Sequence, residues 1–241
     1  MSAFLLKIIA VISMAFDHSG YIIFNKFSYF NYIGRLAFPI FAFQISEGYF
    51  HSKNIKKYIF RLFLFALISQ IPFMLFLSTV RNTSIFSWDN FSLNVFFTLL
   101  LGLVAIMFYD NIPNKILAIV PAILLSLFAD FINTDYGFYG VAIIVLFHIF
   151  RNNKLLKTLA FSLVTFIRYF ENIFAISQVN NTYNITLSSN WVPSFILCLC
   201  TILPIIFILF YNGTKGKSTK YLLYFFYPVH LVVLSLIPIL I

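Results

Sequence analysis

The segment Lys7–His18, with the sequence KIIAVISMAFDH, decides the fold of this chain. It lies in an apolar run of about twenty residues, the length that a helix needs to cross a bilayer. Lys7 and His18 are eleven residues apart, so on a helix they point in nearly the same direction, about 16 Å apart along the axis. Charged side chains at membrane depth cost about 2.5–3.5 kcal/mol each on insertion scales. We therefore expect Lys7, Asp17 and His18 to serve a function.

The composition indicates a membrane protein. Of the 241 residues, 61% are hydrophobic and 10% are charged, and the mean hydropathy is +0.95. A soluble domain carries about 25% charged residues. Only helices and closed barrels span lipid, and continuous apolar runs favour helices over alternating strands. We predict an all-α, polytopic transmembrane helix bundle in the cell membrane, with residues 1–241 forming a single domain.

Nine segments are predicted to cross the membrane, and the second, fourth and sixth are short enough to be tilted or half-buried. They are residues 4–24, 34–50, 58–80, 93–109, 114–130, 136–150, 155–177, 191–211 and 221–240. The first is interpreted as a helix rather than a signal peptide, because Asp17 and His18 interrupt its apolar region.

The basic residues predict an orientation. With the N-terminus in the cytoplasm, twelve of the sixteen Lys and Arg residues fall on the cytoplasmic side. The positive-inside rule then places the N-terminus inside and the C-terminus outside. This arrangement also accounts for most of the net charge of +9, so no nucleic-acid partner is expected. Cys198 and Cys200 point in different directions on a helix, and no metal site is predicted.

This orientation assigns depths to the buried polar residues. Lys7 and Glu47 share an inner level, whereas Asp17, His18 and Arg35 share an outer level. Charges of opposite sign at matched depth lower the burial penalty if the first two helices pack together. The alternative is that these pairs only fix the register of the helices.

Several other polar residues are open to two interpretations. Asn94 is a further outer-level candidate. Asp130 and Asp135 flank a short connection and are expected to be simply solvated. Arg168 lies three residues before Glu171, the spacing of an ion pair within a helix. His230, in the sequence YPVH at residues 227–230, is either a packing residue or a polar residue at a helix opened by proline.

A basic patch begins the third predicted segment. Lys53, Lys57 and Arg61 recur every four residues, with Lys56 beside them. The patch either follows from the positive-inside rule alone or binds phosphate, for which Lys and Arg are suited. The sequence contains no Walker loop, dinucleotide-binding glycine motif, nucleophile elbow or zinc-ligand spacing.

These residues occur in stretches that resemble the TraX family, named for a conjugation protein that N-acetylates pilin. The stretches are LKIIA at 6–10 with Met14, Asp17, His18 and Gly20; IGRLAFPIFAF at 33–43 with Glu47 and Gly48; 58–72 with Arg61 and LISQIP at 67–72; NVFFTL at 94–99 with LG at 101–102; YG at 136–137 and 139–140; and FYPVHL at 226–231. Gln70 stands where an acidic residue is expected, and residues 178–190 match nothing in the family.

More distantly, Lys7 with His18 resembles the basic-x10-His signature of integral-membrane acyltransferases. That resemblance implies transfer of acetyl from cytosolic acetyl-CoA to an acceptor on the far side of the membrane. His18 would be the catalytic base and Asp17 its neighbour or orienting group, and Arg35 or Asn94 would stabilise the oxyanion. The donor-binding residues would be Lys7, Arg35 and the basic patch of Lys53, Lys56, Lys57 and Arg61.

The expected function is therefore that of a multi-pass membrane acetyltransferase. The acceptor would be an amine or hydroxyl of an extracytoplasmic peptide or glycan, and both direct transfer and an acetyl-histidine intermediate stay open. Secondary polar candidates are Glu47, Arg168, Tyr227 and His230. The alternatives are a proton-coupled transporter, which suits titratable residues among proline-broken helices, and a non-enzymatic assembly factor of a membrane apparatus.

Overall fold

The computed structural model is a bundle of α-helices, described for residues 1–24, 28–179, 182–217 and 221–240. The helices are α1 Ala3–Phe24, α2 Tyr29–Gly34, α3 Ala37–His51, α4 Ile55–Arg81, α5 Val95–Asn111, α6 Lys115–Phe131, α7 Gly137–Ile149, α8 Lys154–Ile173, α9 Trp191–Ile202, α10 Pro204–Leu209 and α11 Leu222–Leu240. Each of the nine predicted segments contains a helix. The eighth is divided at Pro204, which stands at the first position of α10, where proline is favoured, and the short α2 precedes α3.

Three helical stretches of the described residues are long and apolar enough to cross a membrane. They are Ala3–Phe24, Ile55–Arg81 and Trp191–Leu209. Shorter apolar helices accompany them, at Val95–Asn111, Gly137–Ile149 and Tyr224–Pro238. Their length and composition make this chain a helical membrane protein.

Two short helices, α3 and α7, occupy the centre of the bundle. Most of their side chains are buried, and the two helices pack against each other and against α5. The Phe43 and Phe147 rings meet edge to face, 5.8 Å between centroids. Gly102 on α5 lies so close to Ile144 that no Cβ would fit. A helix covered by its neighbours need not match the lipid thickness, which explains why the second and sixth predicted segments are short.

Asparagine side chains cap the N-termini of four helices. Asn54, Asn94, Asn114 and Asn153 each accept a backbone N–H of the first turn that follows. Such caps satisfy amide donors that have no partner within the helix.

A β-hairpin follows α8, and it is the one sheet among the described residues of a bundle that is otherwise all-α, as predicted. Strands β1 Phe174–Val179 and β2 Thr182–Leu187 pair antiparallel, with Phe174 opposite Leu187. The seventh segment was predicted to continue as a helix to residue 177, but α8 ends at Ile173. Aromatic and β-branched residues recur through both strands, and these residues favour extended backbone. Residues 180–181 lie outside the described residues.

The first and last helices are neighbours. α1 contacts α2, α3 and α11, and α11 in turn contacts α4. This arrangement brings residues near the two ends of the sequence to one place inside the bundle.

Candidate functional site

Two histidines from α1 and α11 form a hydrogen-bonded pair inside the bundle. His18 Nδ1 lies 2.6 Å from His230 Nε2. The ring centroids are 4.9 Å apart and the ring planes differ by 15°, so the rings are nearly coplanar. The Phe76 ring packs on His18, and the Phe226 ring stacks on His230. His230, predicted as either a packing or a polar residue, is thus a direct partner of His18.

The hydrogen bonds of the pair imply its tautomers. His230 Nδ1 lies 2.8 Å from the carbonyl oxygen of Phe226, and because a carbonyl only accepts, this nitrogen carries the proton. In a neutral ring, Nε2 of His230 is then the acceptor, and Nδ1 of His18 donates to it. The remaining nitrogen of His18, Nε2, keeps its lone pair. The arrangement therefore presents one unprotonated imidazole nitrogen.

A small cavity of about 30 Å³ adjoins this pair, and we call it the histidine chamber. Its lining residues are Met14, Asp17, His18, Gly34, Ala37, Phe38, Phe41, Val95, Phe96, Leu99, Asp135, Tyr136 and Tyr227. They come from α1, the α2–α3 region, α5, the α6–α7 connection and α11. The chamber combines polar and apolar lining groups, and its volume has room for about two or three water molecules.

Asp17 bonds to Arg35, not to His18. The Arg35 Nη2 atom donates to Asp17 Oδ1 at 2.7 Å, and Arg35 Nε donates to the Asn31 carbonyl oxygen. The Asn31 amide donates to both the carbonyl and the carboxylate of Asp17. The expectation that Asp17 orients His18 is wrong, because its carboxylate is held by α2 while His230 holds the imidazole. Asp17 and Arg35, which were expected to lie at the same depth, do form an ion pair.

Replacing Asp17 by asparagine is expected to lower the free energy of unfolding by about 3 kcal/mol. The Asp17 and Arg35 side chains are 13% and 21% exposed, so the substitution leaves a largely buried guanidinium without its anion. The value is the lower end of the range for removing one partner of a buried pair, since both groups are partly exposed. Unfolding of the detergent-solubilised protein measures it.

The matched control is Asp110→Asn, which affects a 39% exposed carboxylate paired with His148 and should cost about 1 kcal/mol or less. The double variant Asp17→Asn/Arg35→Gln should recover part of the loss, because it leaves no unpaired charge. Equal destabilisation by Asp17→Asn and Asp110→Asn would contradict the assigned burial of the ion pair.

Asp135 also lines the histidine chamber, from the connection between α6 and α7. Its side chain remains accessible, yet enough protein surrounds it that desolvation raises the pKa of its carboxyl to about 6, opposed by Arg35 and Arg168. Asp130 accepts the Phe138 backbone N–H at the start of α7. Both side chains are exposed, in agreement with the solvation expected for the two aspartates, and both also interact with neighbouring protein groups.

A second and larger cavity, of about 720 Å³, lies toward the end of the bundle that carries Lys7. We call it the basic cavity. Five cationic side chains line it: Lys7, Lys53, Arg61, Lys215 and Lys217. Such a cavity attracts anions, because like charges gathered around a concave surface reinforce one another.

Arg61 is the most enclosed cation of the predicted basic patch. Its guanidinium lies 5.6 Å from the Tyr58 ring centroid and interacts with the Tyr224 hydroxyl. Its Nε atom is buried and has no hydrogen-bond partner within the described part of the chain. Lys53 also reaches the cavity, whereas Lys56 and Lys57 are exposed and do not line it. The four-residue spacing of the basic patch therefore identified Lys53 and Arg61 but not the other cationic residues that line the cavity.

Lys215 and Lys217, which sequence reasoning placed only on the cytoplasmic side, complete the basic cavity. Backbone pairing fixes their segment against the start of α1, since the Phe4 N–H donates to the Lys215 carbonyl oxygen and the Ala3 N–H to that of Thr214. The signal available in the sequence was the cluster of lysines before α11, but its approach to Lys7 depends on tertiary pairing.

Glu47 lines the basic cavity but does not pair with Lys7. Its carboxylate accepts from Arg151 Nε at 2.8 Å and lies 3.5 Å from His51 Nε2. The expected Lys7–Glu47 pair is therefore corrected: Arg151, after α7, neutralises the glutamate. Among the described residues, no lysine of the basic cavity forms an ion pair with Glu47.

The histidine chamber and the basic cavity share two lining residues, Phe41 on α3 and Leu99 on α5. Both side chains are buried, with 4% and 1% exposure. We call these two residues the partition. Lys7 lines the basic cavity and His18 lines the histidine chamber, so the two ends of the segment Lys7–His18 lie on opposite sides of the partition.

Two predicted polar residues lie elsewhere. The Asn94 amide donates to the Ala66 carbonyl and to Gln70, while its oxygen accepts the Phe96 N–H, and Asn94 does not line the chamber. Gln70 also donates to the Ser92 carbonyl, which an acidic side chain could not do when ionised. Arg168 lies over the Tyr139 ring, and no ion pair with Glu171 occurs among the described residues.

These features define a class: a helical membrane protein with a buried imidazole pair on one side of an apolar partition and a cationic cavity on the other. The chain belongs to the TraX family, whose model, described as "TraX protein", matches residues 2–238. It is 34% identical over 250 residues to a protein of Dichelobacter nodosus described as "Probable fimbrial assembly protein FimC, serogroup H1", covering 97% of this chain and 94% of that protein. No solved structure matches the chain.

Proposed function

We propose that this protein is an acetyltransferase that takes acetyl from cytosolic acetyl-CoA and delivers it to an amine or hydroxyl on the other side of the membrane. The observation that carries the proposal is that His18, whose Nε2 keeps its lone pair, lines a chamber that shares two lining residues with a cationic cavity. The acceptor would be an extracytoplasmic peptide or glycan. The basic cavity would open to the cytosol, in agreement with the positive-inside rule.

The basic cavity suits the donor's phosphates. Its volume of about 720 Å³ lies within the roughly 300–1,000 Å³ of ligand pockets. Arg61 lines it, and guanidinium is well matched to phosphate oxygens. Lys7, Lys215 and Lys217 would supply further positive charge.

The reactive end of the donor would reach His18 along α1. The separation of Lys7 and His18, about 16 Å along a helix, is of the same order as an extended pantetheine chain. Val11 and Met14 lie between them on the same face and are buried. To enter the histidine chamber, the acyl group must pass between Phe41 and Leu99, the residues that line both cavities.

His18 would act as the general base. Its Nε2 takes a proton from the acceptor's amine or hydroxyl as that atom bonds to the thioester carbonyl carbon. When the tetrahedral intermediate collapses, the carbon–sulfur bond breaks and the departing thiolate takes the proton back. His230 holds the His18 ring through Nδ1, so it would stabilise the imidazolium, with the Phe226 carbonyl fixing its own tautomer.

The test is acetyl transfer by the purified full-length protein, using radiolabelled acetyl-CoA and a panel of amine and hydroxyl acceptors. The variant Arg61→Gln should weaken donor binding about 10–100-fold, because a hydrogen bond to a charged group contributes about 1.5–3 kcal/mol. The matched control is Lys56→Gln, which removes an exposed cation of the same helix outside the cavity. Absence of transfer with every acceptor, or equal donor affinity in both variants, would contradict the proposal.

A second candidate function is assembly of a surface fibre without chemistry. This function is favoured by the similarity to the Dichelobacter nodosus protein, which is described as a probable fimbrial assembly protein. An assembly factor without enzymatic activity requires no acetyl-CoA and predicts that a His18 variant is silent in cells. Coenzyme A also separates the enzyme from a proton-coupled transporter, since only a protein that binds it is stabilised against unfolding by it.

A further inference from the structure

The Tyr227 hydroxyl is a buried polar group without a partner. The side chain is 2% exposed, and its oxygen makes no hydrogen bond of acceptable geometry among the described residues. Leaving such a group unpaired costs about 1–3 kcal/mol. Tyr227 also lines the histidine chamber, so this unpaired hydroxyl belongs to a residue of the chamber wall.

The packing of α11 fixes where this hydroxyl stands. Tyr227 lies three residues before His230, so both side chains project from one face of the helix. The Tyr227 ring centroid is 6.5 Å from that of His18 and 5.8 Å from that of His230. The Phe96 ring meets the tyrosine ring edge to face at 5.2 Å. Tyr227 is therefore held rigidly beside the histidine pair.

A backbone donor approaches the same oxygen. The N–H of Val95, in the first turn of α5, interacts with the Tyr227 oxygen but falls short of hydrogen-bond geometry. Val95 also lines the histidine chamber. A donor beside the phenol oxygen leaves the O–H proton of Tyr227 available for another acceptor.

We propose that Tyr227 donates its hydroxyl hydrogen bond to the carbonyl oxygen of the acyl group undergoing transfer. This inference rests on the proposed function. As the acceptor atom bonds to the carbonyl carbon and His18 Nε2 takes its proton, the electron pair of the C=O bond moves to that oxygen. The Tyr227 O–H stabilises the resulting oxyanion. When the C–S bond breaks, the pair returns to form the carbonyl again and the hydrogen bond weakens.

The two side chains that the sequence suggested for this role are already bonded. Arg35 donates to Asp17 and to the Asn31 carbonyl. Asn94 donates to Ala66 and Gln70, outside the chamber. Tyr227 combines an uncommitted donor with a position in the chamber that His18 lines, and this combination is why we assign the oxyanion to it.

The test compares Tyr227→Phe with wild type in acetyl transfer by the full-length protein. Loss of one oxyanion donor is expected to lower kcat by about 10²–10³-fold, while KM for acetyl-CoA changes little because the donor's phosphates bind in the other cavity. The matched control is Tyr139→Phe, a buried tyrosine whose hydroxyl bonds to Thr165 and which lines neither cavity. Its kcat should stay near the wild-type value.

A spectroscopic measurement separates catalysis from packing. The infrared band of the ¹³C-labelled thioester carbonyl, recorded on the bound donor without acceptor, should lie at lower frequency in wild type and Tyr139→Phe than in Tyr227→Phe. An unshifted band together with wild-type kcat in Tyr227→Phe, while wild type transfers acetyl, overturns this inference alone. If wild type neither binds the donor nor transfers acetyl, the proposed function fails and this inference fails with it.

Discussion

The variant His18→Asn is expected to transfer acetyl about 10²–10⁴-fold more slowly than wild type. A positioned general base contributes a rate factor of this size, and this substitution removes it selectively. The Nδ2 of asparagine stands close to the place of the imidazole Nδ1, so it can still donate to His230 Nε2, the contact that wild type makes at 2.6 Å. The reactive Nε2 has no counterpart in asparagine. The measurement is kcat with a saturating labelled donor.

The control for this prediction is His148→Gln. His148 bonds through Nε2 to Asp110 at 2.9 Å and lines neither cavity. The amide of glutamine reaches close to the position of Nε2, so the variant should retain most activity. Donor binding should survive in both variants, seen as an unchanged upward shift of the thermal midpoint by coenzyme A. Wild-type kcat in His18→Asn would exclude His18 as the base.

The second large effect is expected from Leu99→Phe, which enlarges a side chain of the shared partition. Leu99 is 1% exposed and faces both cavities, so the added ring would narrow the passage to His18. A displacement of the reacting group by about 1 Å lowers a rate by about 10²-fold. We expect kcat to fall by at least this factor. Coenzyme A at 100 times its Kd should still stabilise the variant by about 2.7 kcal/mol, because the phosphates bind outside the partition.

Overpacking alone also destabilises a core, by about 1–3 kcal/mol, and Leu103→Phe controls for it. Leu103 lies one turn further along α5, is 0% exposed and lines neither cavity. The two variants should lose similar stability, but only Leu99→Phe should lose acetyl transfer. Equal activity in both would show that the acyl group does not pass between Phe41 and Leu99.

The sequence predicts the helices well because each contains a run of apolar residues, and lipid sets the length of those that face it. It also places Lys7 and His18 on one helix face, since that relation depends only on residues within α1. The hairpin after α8 was missed because Phe174, Ala175 and Ile176 of its first strand continue the apolar pattern of the helix. The end of such a helix depends on local strand pairing, which hydropathy does not register.

The contacts that build the site lie beyond what local patterns can predict. His18 and His230 are separated by 212 positions, and Glu47 reaches Arg151 across 104 positions. A matched depth predicted Asp17 with Arg35 because few charges share that level. At the level of Lys7 several cations could pair with Glu47. Arg151 is the one that does so, because α3 packs against α7.

The pairing of α1 with α11 has a consequence for biosynthesis. A ribosome releases α1 long before α11 has been made, so the early translocation intermediates carry His18 without His230. His18 can acquire the tautomer that the His230 contact fixes only when α11 has inserted and packed against α1. Nascent chains therefore contain no preassembled imidazole pair, and competence for catalysis would arise as a late event in membrane integration.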